Sequence, residues 1–387
     1  MRILVNAATC VIGGGAQVAA AFIRQALIRS TEHQWSFLVS RAVWTSFNDR
    51  LDMQARLEVV HPSPGRPLAG LVSRKRLTEA ERRARPDVVF TVFGPAYVRF
   101  QAPHVCGFAN SWVTHPSRLA FDTLSLTEKA VNLARRWYKR LRLGRNDYYI
   151  TETAVSQQGL ARILGIPLER ICVIPNNCSE LFYTHGLELE TEFPAGKQVI
   201  NVLTLAGPYP HKNLLIIPEV ARLLREMEAH REYRFHVTLP ETGCQVRKFW
   251  EKASRLAVTD RIRNLGVLRP QECPRAYAGC DIFFLPTLLE VMSASYAEAM
   301  AMRRPIVTTD LDFARDTCGD AALYYPALSA REAGACLVRL ANNPALRRAL
   351  LDAGLRRLHT FPSPEEKYRR QMEWIVQAAG EKRGRQG

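Results

Sequence analysis

The sequence predicts an α/β protein made of two doubly wound, parallel-sheet halves, and three stretches carry that prediction. The first is an apolar strand, Ile3 to Ala8, which runs into Gly13-Gly14-Gly15 and then a helical pattern from Ala16 to Arg29. Strand, glycine turn and helix open a nucleotide-binding type of half-domain, where glycine allows positive φ and close approach of a ligand. The second stretch is Asp281 to Asp310. Ile282–Leu285 is a short apolar run closed by Pro286, which reads as a buried parallel strand. Ser293 to Met302 reads as a helix that Ser293 can cap, and Arg303-Arg304-Pro305 ends it before a second strand, Ile306–Thr309. The third is a restart: residues 183–197 are polar and aperiodic with Gly186, Pro194 and Gly196, and a new strand, Val199 to Leu205, follows.

Composition agrees with a globular protein of this class. A chain of 387 residues, 47% hydrophobic and 23% charged, is long enough for two domains with their own cores. No run reaches the eighteen apolar residues of a membrane-spanning helix, and Met1–Asn6 is too short for a signal-peptide core. Nine cysteines are dispersed without CxxC pairs or Cys/His clusters, so a metal site is not expected and a reducing cytoplasm is. The net charge of +16 asks for an acidic partner, and residues 1–180 hold eleven of the excess cations. The chain has no aromatic RNP pattern or other nucleic-acid module, so nucleic acid is not expected, and an anionic membrane surface is the remaining candidate.

Taken in order, further strands are expected at Trp35–Val39, Leu57–Val60 and Val88–Val92. A loop from Pro62 to Pro67 leads into a basic helical stretch through Arg74, Lys75, Arg76, Arg82, Arg83 and Arg85. Thr91–Pro95 and Gly107–Trp112 are strand-end loops, where ligand contacts concentrate in open parallel sheets; Gly94, Asn110 and His115 are candidates by position. Thr127–Leu143 is a helix with Ala130, Ala134, Trp137 and Leu141 on one stripe. Lys129, Arg135, Arg136, Lys139, Arg140, Arg142 and Arg145 surround it with no acid between Glu128 and Asp147, which suits a helix lying on an anionic surface. Either that, or the stripe packs on its own domain. Tyr148–Thr151 is the next strand, then a helix from Glu152 to Gly165, then Ile171 to Asn177. In the second half a helix to Arg231, a strand at Arg234–Leu239 and a helix near Val246–Ala257 precede the turn Leu265-Gly-Val-Leu268.

Two carboxylates eight residues apart, Glu290 in the loop and Glu298 in the helix, resemble the donor-site motif of retaining, nucleotide-sugar-dependent glycosyltransferases of family 4. The strand ending Thr151-Glu152, the Val173-Ile-Pro175-Asn176 turn and Lys212 at the end of the loop after Val199–Leu205 fit the same pattern. A carboxylate accepts two hydrogen bonds at once, which suits neighbouring sugar hydroxyls, and a helix amino end suits a diphosphate. The resemblance implies two facing Rossmann-like domains with a cleft between them (GT-B type), sugar transfer with retention, and no metal or other cofactor. It places Glu290 on the transferred sugar, Glu298 on the ribose, and Lys212 with the Met292–Ser293 helix end on the leaving diphosphate. Gly14, Gly15 and Gly207 would lie near the donor phosphates, and Val267 and Leu268 would read the base. Gly94, Asn110 and His115 fall on the acceptor side, and Arg135, Arg136, Trp137, Lys139 and Arg140 would touch the membrane. Val291-Met292-Ser293 stands where many members have Gly-Phe-Gly. Gly207-Pro208 stands where an Arg binds the diphosphate, for which Arg269 is a candidate substitute.

The expected domains are 1–182 for the acceptor, a linker at 183–197, 198–363 for the nucleotide-sugar, and 364–387 as a helix returning to the first domain. Expected partners are a nucleoside-diphosphate-sugar and a saccharide or lipid-linked acceptor, at the inner face of a cell membrane, in cell-surface polysaccharide or glycolipid assembly. Two alternatives share the fold: a nucleotide-sugar-binding protein without turnover, and a sugar-nucleotide epimerase.

Overall fold

A computed structural model describes residues 1–11, 13–46, 56–144, 146–186 and 197–384. The chain forms two compact units, one of residues 1–115, 130–176 and 362–387, the other of residues 116–129 and 177–361. The second unit therefore begins ahead of the 183–197 linker, whose residues 187–196 lie outside the described set, while Glu180–Gly186 is helical.

The first unit holds seven parallel strands, β1 (Arg2–Ala7), β2 (Gln34–Val39), β3 (Arg56–Val59), β4 (Val88–Thr91), β5 (His104–Gly107), β6 (Tyr148–Thr151) and β7 (Ile171–Val173), in the order β3-β2-β1-β4-β5-β6-β7. Every residue of β4, β5 and β6 is buried, as a sheet covered on both faces requires. Strand order reverses at β1/β4, the place where open α/β sheets leave a crevice beyond the strand ends. The helix Pro364–Gly384 belongs to this unit: Tyr368, Met372 and Ile375 enter its core, and the Tyr368 hydroxyl donates to Ser30 Oγ at 2.7 Å.

The second unit holds β8 (Val199–Thr204), β9 (Glu232–Val237), β10 (Ile262–Asn264), β11 (Ile282–Leu285), β12 (Ile306–Thr309) and β13 (Ala322–Tyr325), all parallel, in the order β10-β9-β8-β11-β12-β13. Its reversal point is β8/β11, so the loops carrying Lys212 and Glu290 leave the sheet side by side. Phe283, Phe284, Tyr277 and Tyr296 are fully buried and fill the core beneath that edge.

Two local expectations change. The glycine run is not a turn ahead of a helix but the first turn itself, since the helix spans Gly13–Arg29; Gly14 and Gly15 carry no positive φ. The helix after β11 spans Ala294–Ala301 with Ser293 at its N-cap position, yet the Ser293 side chain makes no capping bond. A first-turn N–H left uncapped by protein is open to an external acceptor.

Glycines separate the positions where packing demands them from those where it does not. A Cβ on Gly159 would sit 2.0 Å from the Thr114 carbonyl oxygen, where the helix Ala154–Leu164 crosses Ser111–Thr114, whereas one on Gly14 meets nothing within 4 Å. Gly159→Ala is expected to destabilise the fold by about 1–3 kcal/mol. Gly14→Ala should leave stability unchanged or raise it by up to about 1 kcal/mol, because alanine is the better helix former. Chemical unfolding of the two variants beside the parent measures both.

Candidate functional site

The site in the second unit is built from two crossover loops zipped together. Lys212 ends a 3-10 turn, Pro210–Lys212, and its ammonium pairs with Glu290 Oε1; both side chains are 14% exposed. Thr287 Oγ1 also donates to Glu290 Oε1, at 3.0 Å. The loops share backbone as well, because Leu288 N donates to His211 O at 2.7 Å and Thr309 Oγ1 fixes Thr287 O at 2.7 Å. Lys212 and Glu290, seventy-eight positions apart in the chain, are thus one preorganised ion pair.

His211 sits beside this pair and stacks on Tyr209, with ring centroids 5.7 Å apart. Burial is the main cause that pushes its pKa down to about 4; Glu290 opposes the shift and Lys212 adds to it, so the imidazole is neutral at pH 7. The Tyr209 ring lies 3.0 Å from where a Gly207 Cβ would be. A side chain at 207, the place of the missing Arg, would therefore meet an aromatic ring. Arg269 does not fill the gap in this structure: it is exposed and closes a capping box with Glu272, through its backbone N–H at 2.7 Å and its guanidinium at 2.8 Å.

Glu298 lies one helical turn below the Ser293 end. Tyr277 donates its hydroxyl to Glu298 Oε2 at 3.0 Å, and that hydroxyl also lies 3.2 Å from Ser295 O. Ser295 Oγ reaches Leu205 O at 3.4 Å, tying the helix to the loop after β8. Burial raises the Glu298 carboxyl to about 7, the Tyr277 hydrogen bond holding it lower than burial alone would. Its negative field in turn is a secondary cause, after burial, that lifts Cys178 and Cys273 to about 12. Met292 is half-buried and Ser293 buried. Val267 is exposed and Leu268 half-buried on a turn that Gly266 opens at φ 74°. Asn264 Oδ1 holds that turn by accepting from Gly266 N at 3.1 Å and Leu239 N at 2.9 Å.

In the first unit, Gly15 and Gly94 meet through one residue. A Gly15 Cβ would lie 3.5 Å from the Phe93 ring, and Thr9 Oγ1 donates to Phe93 O. Gly94 N donates to Gly107 O at 2.8 Å, and a Cβ on Gly94 would strike Cys106 Sγ at 2.2 Å, so glycine is required there. Asn110 precedes the short helix Ser111–Thr114 without capping it, and its Oδ1 is buried with no protein partner. His115 Nδ1 lies 2.8 Å from Thr114 Oγ1. Of the residues expected near the donor, Gly14 and Gly15 belong to this unit and the others to the second. Tyr277, Thr287, His211 and Tyr209 were not among the expected residues; His211 and Tyr209 flank Lys212 in a signal open to the sequence, while Thr287 and Tyr277 become visible only once the chain is folded.

Two family profiles match in tandem: "Glycosyltransferase Family 4" over residues 13–177 and "Glycosyl transferases group 1" over residues 199–343. The chain is a GT-B-type glycosyltransferase resembling family 4. Solved structures with the same fold span nearly its full length. A glycosyltransferase from Rickettsia africae superposes with a TM-score of 0.71 at 15% identity, over 97% of this chain and 98% of that one. Sucrose-phosphate synthase from Thermosynechococcus elongatus gives 0.70 at 14% identity, over 97% and 98%. Anabaena HepE, solved in complex with UDP and glucose, gives 0.68 at 14% identity, over 97% and 100%. No curated protein matches the sequence.

In this glycosyltransferase the carboxyl of Glu298 titrates near neutrality, and the sign of its effect on stability follows. The folded pKa, about 7, is above the ordinary 4.5, so the folded chain holds a proton that the unfolded chain has released between those values. The corresponding stability is fully present below pH 4.5 and is lost as pH rises through 7, by on the order of 3 kcal/mol. Urea unfolding from pH 4.5 to 8 is expected to show this slope in the parent and not in Glu298→Gln.

Proposed function

We propose that the protein transfers a sugar from a nucleoside-diphosphate-sugar to a hydroxyl acceptor with retention of anomeric configuration and without a metal. The observation that carries this reading is the Lys212–Glu290 pair, with Glu298 behind it, at the strand-order reversal of the second unit. An ammonium there can take up charge as the bond from the sugar C1 to the diphosphate oxygen breaks, and the uncapped amino end at Ser293 adds N–H donors. Glu290, freed when the diphosphate engages Lys212, accepts from a hydroxyl of the transferred sugar. Glu298 accepts from the ribose. The acceptor oxygen forms its bond to C1 on the face the diphosphate leaves, and its proton goes to the departing phosphate oxygen. HepE, solved with UDP, supports a uridine diphosphate as the first donor nucleotide to try.

Among the described residues no group of three His, Cys, Asp or Glu side chains could hold a metal ion. In the proposed reaction phosphate charge falls to Lys212 and the helix end. The acceptor is a saccharide or lipid-linked hydroxyl on the Gly94–Asn110–His115 side, in polysaccharide or glycolipid assembly, with the helix Leu126–Leu143 lying on an anionic membrane. No helix is long and apolar enough to cross a membrane, as the described residues show. Binding without turnover is the second reading, favoured by Tyr209 lying against the position of the missing Arg.

Five outcomes test this reading. Incubation with a panel of nucleotide-sugars should give glycosidic product, with turnover surviving chelator; nucleotide binding with no transfer to any acceptor would favour the second reading. Lys212→Ala should lower kcat most. Glu298→Ala should weaken nucleotide affinity by roughly 1.5–3 kcal/mol. Glu290→Ala should lower kcat while leaving bare nucleotide affinity nearly intact. In the parent, nucleotide affinity should rise as pH passes through about 7, and this dependence should vanish in Glu298→Gln, by titration calorimetry.

A further inference from the structure

The helix Leu126–Leu143 is mounted with its apolar stripe outward. Ala130, Ala134, Trp137 and Leu141 are all exposed, Trp137 at 65%, and Leu133 is exposed as well. The residues turned inward are mostly polar: Asn132, Arg136 and Lys139 are part-buried, as are Tyr138 and Arg142, with Leu143 buried at the helix end, and Asn132 Oδ1 is buried without a partner. Burial lowers the pKa of Arg136 and, together with Arg135, that of Lys139. Neither cation has a carboxylate partner among the described residues. Arg145 lies outside the described residues. An amphipathic helix set this way round gains nothing from its apolar face until something covers it.

A second exposed apolar element stands beside it in the same unit. Residues 66–70 close a tight turn, with Gly70 N donating to Arg66 O at 3.1 Å, and a Gly70 Cβ would strike that oxygen at 2.4 Å. The turn thrusts Leu68 out at 82% exposure, with Leu71 and Val72 following at 56% and 59% in the first turn of the helix Leu71–Ala84. Arg74 joins the two elements. Its guanidinium donates to Pro64 O at 2.9 Å, to Arg66 O at 2.8 Å, and to the Tyr138 hydroxyl at 2.8 Å. Tyr97, three residues after Gly94, stacks on Tyr138 with centroids 5.6 Å apart, and Arg142 lies over the other side of Tyr138. The turn, the basic helix and the Gly94 loop are therefore fixed to one another. Charge points the same way on both elements: there is no carboxylate between Glu58 and Glu79 or between Glu128 and Asp147, while Arg66, Lys75, Arg76, Arg135 and Arg140 are exposed.

We infer that residues 66–76 and the helix Leu126–Leu143 form one two-part contact for an anionic lipid bilayer, in which Leu68, Leu71 and Val72 enter the apolar boundary alongside Trp137 and Leu141. This extends the membrane reading of the helix and rests on it. The partner is a lipid surface because cations ring both apolar elements without intervening acids; a second copy of this chain would bring like charge to the same face. The link through Tyr138 and Tyr97 sets the contact against the acceptor-side loop, where a lipid-anchored hydroxyl would arrive.

The test is co-sedimentation of the full chain with vesicles of phosphatidylglycerol and phosphatidylcholine, beside phosphatidylcholine alone, at low and high salt. The parent should bind only the anionic vesicles and be released by salt. One variant set, Leu68→Ser with Leu71→Ser and Val72→Ser, removes the turn's apolar group; another, Arg135→Ser with Trp137→Ser and Arg140→Ser, disables the helix. Each should weaken binding about tenfold, while unfolding midpoint and transfer to a soluble acceptor stay at parent level. If the helix set releases the protein and the turn set does not, the two-part contact is overturned and the helix reading survives. No binding by the parent overturns both, as does concentration-dependent self-association that the turn set abolishes.

Discussion

The ion pair between Lys212 and Glu290 is the contact on which the chemistry proposed for the second unit depends. Each side chain is 14% exposed, so each is largely removed from water and has its countercharge in the other. The pair joins the loop after β8 to the loop after β11, and the Leu288–His211 and Thr287–Glu290 hydrogen bonds close the remaining gaps between them. A bound diphosphate changes this balance without breaking it. In the proposed reaction Lys212 would exchange a carboxylate for phosphate oxygens and Glu290 an ammonium for sugar hydroxyls, so neither group is stranded. The Lys212–Glu290 pair balances its own charge, and the proposed donor would enter by substitution of partners.

The two carboxylates eight residues apart are kept in different surroundings. Glu290 has an ammonium and a threonine hydroxyl in contact, whereas Glu298 has one tyrosine hydroxyl and a buried setting that lifts it to about 7. Environments that separate the behaviour of two neighbouring acids assign them separate tasks. A carboxyl poised near neutrality is readily ionised by a ligand whose hydroxyls solvate the charged form, which is what a ribose offers. Burial likewise keeps His211 neutral at pH 7, as a flat ring stacked on Tyr209.

What the chain displayed in advance was the part fixed by neighbours in sequence. Ile282–Leu285, Ile306–Thr309 and Tyr148–Thr151 have the bounds expected from short apolar runs closed by proline or polar residues. Lys212 and Glu290 were expected in one site from the family resemblance, and the doubly wound sheet brings their loops together. Hidden were the features that distant residues decide. Gly13–Gly15 forms the first turn of the helix, and the Phe93 ring from another strand end lies beside Gly15. Residues 116–129 cluster with the second unit although they lie within the first half of the sequence, and no local composition marks them. Tyr277 reaches Glu298 from a helix twenty-one positions earlier, a partnership that spacing alone does not suggest.

The helix Leu126–Leu143 shows the same limit from the other side. Periodicity correctly gave the stripe Ala130, Ala134, Trp137, Leu141, because 3.6 residues per turn is a property of the backbone. It did not say which way the stripe faces, because that is settled by what each face finds to pack against. Here Tyr138 finds Tyr97 and Arg74, and those contacts turn Trp137 and Leu141 to the outside. The aromatic stack thus selects the orientation against the hydrophobic preference of the isolated helix. The stripe's own gain is left unrealised in the folded chain, and the proposed anionic surface, by attracting its cations and accepting its tryptophan, would restore that gain on binding.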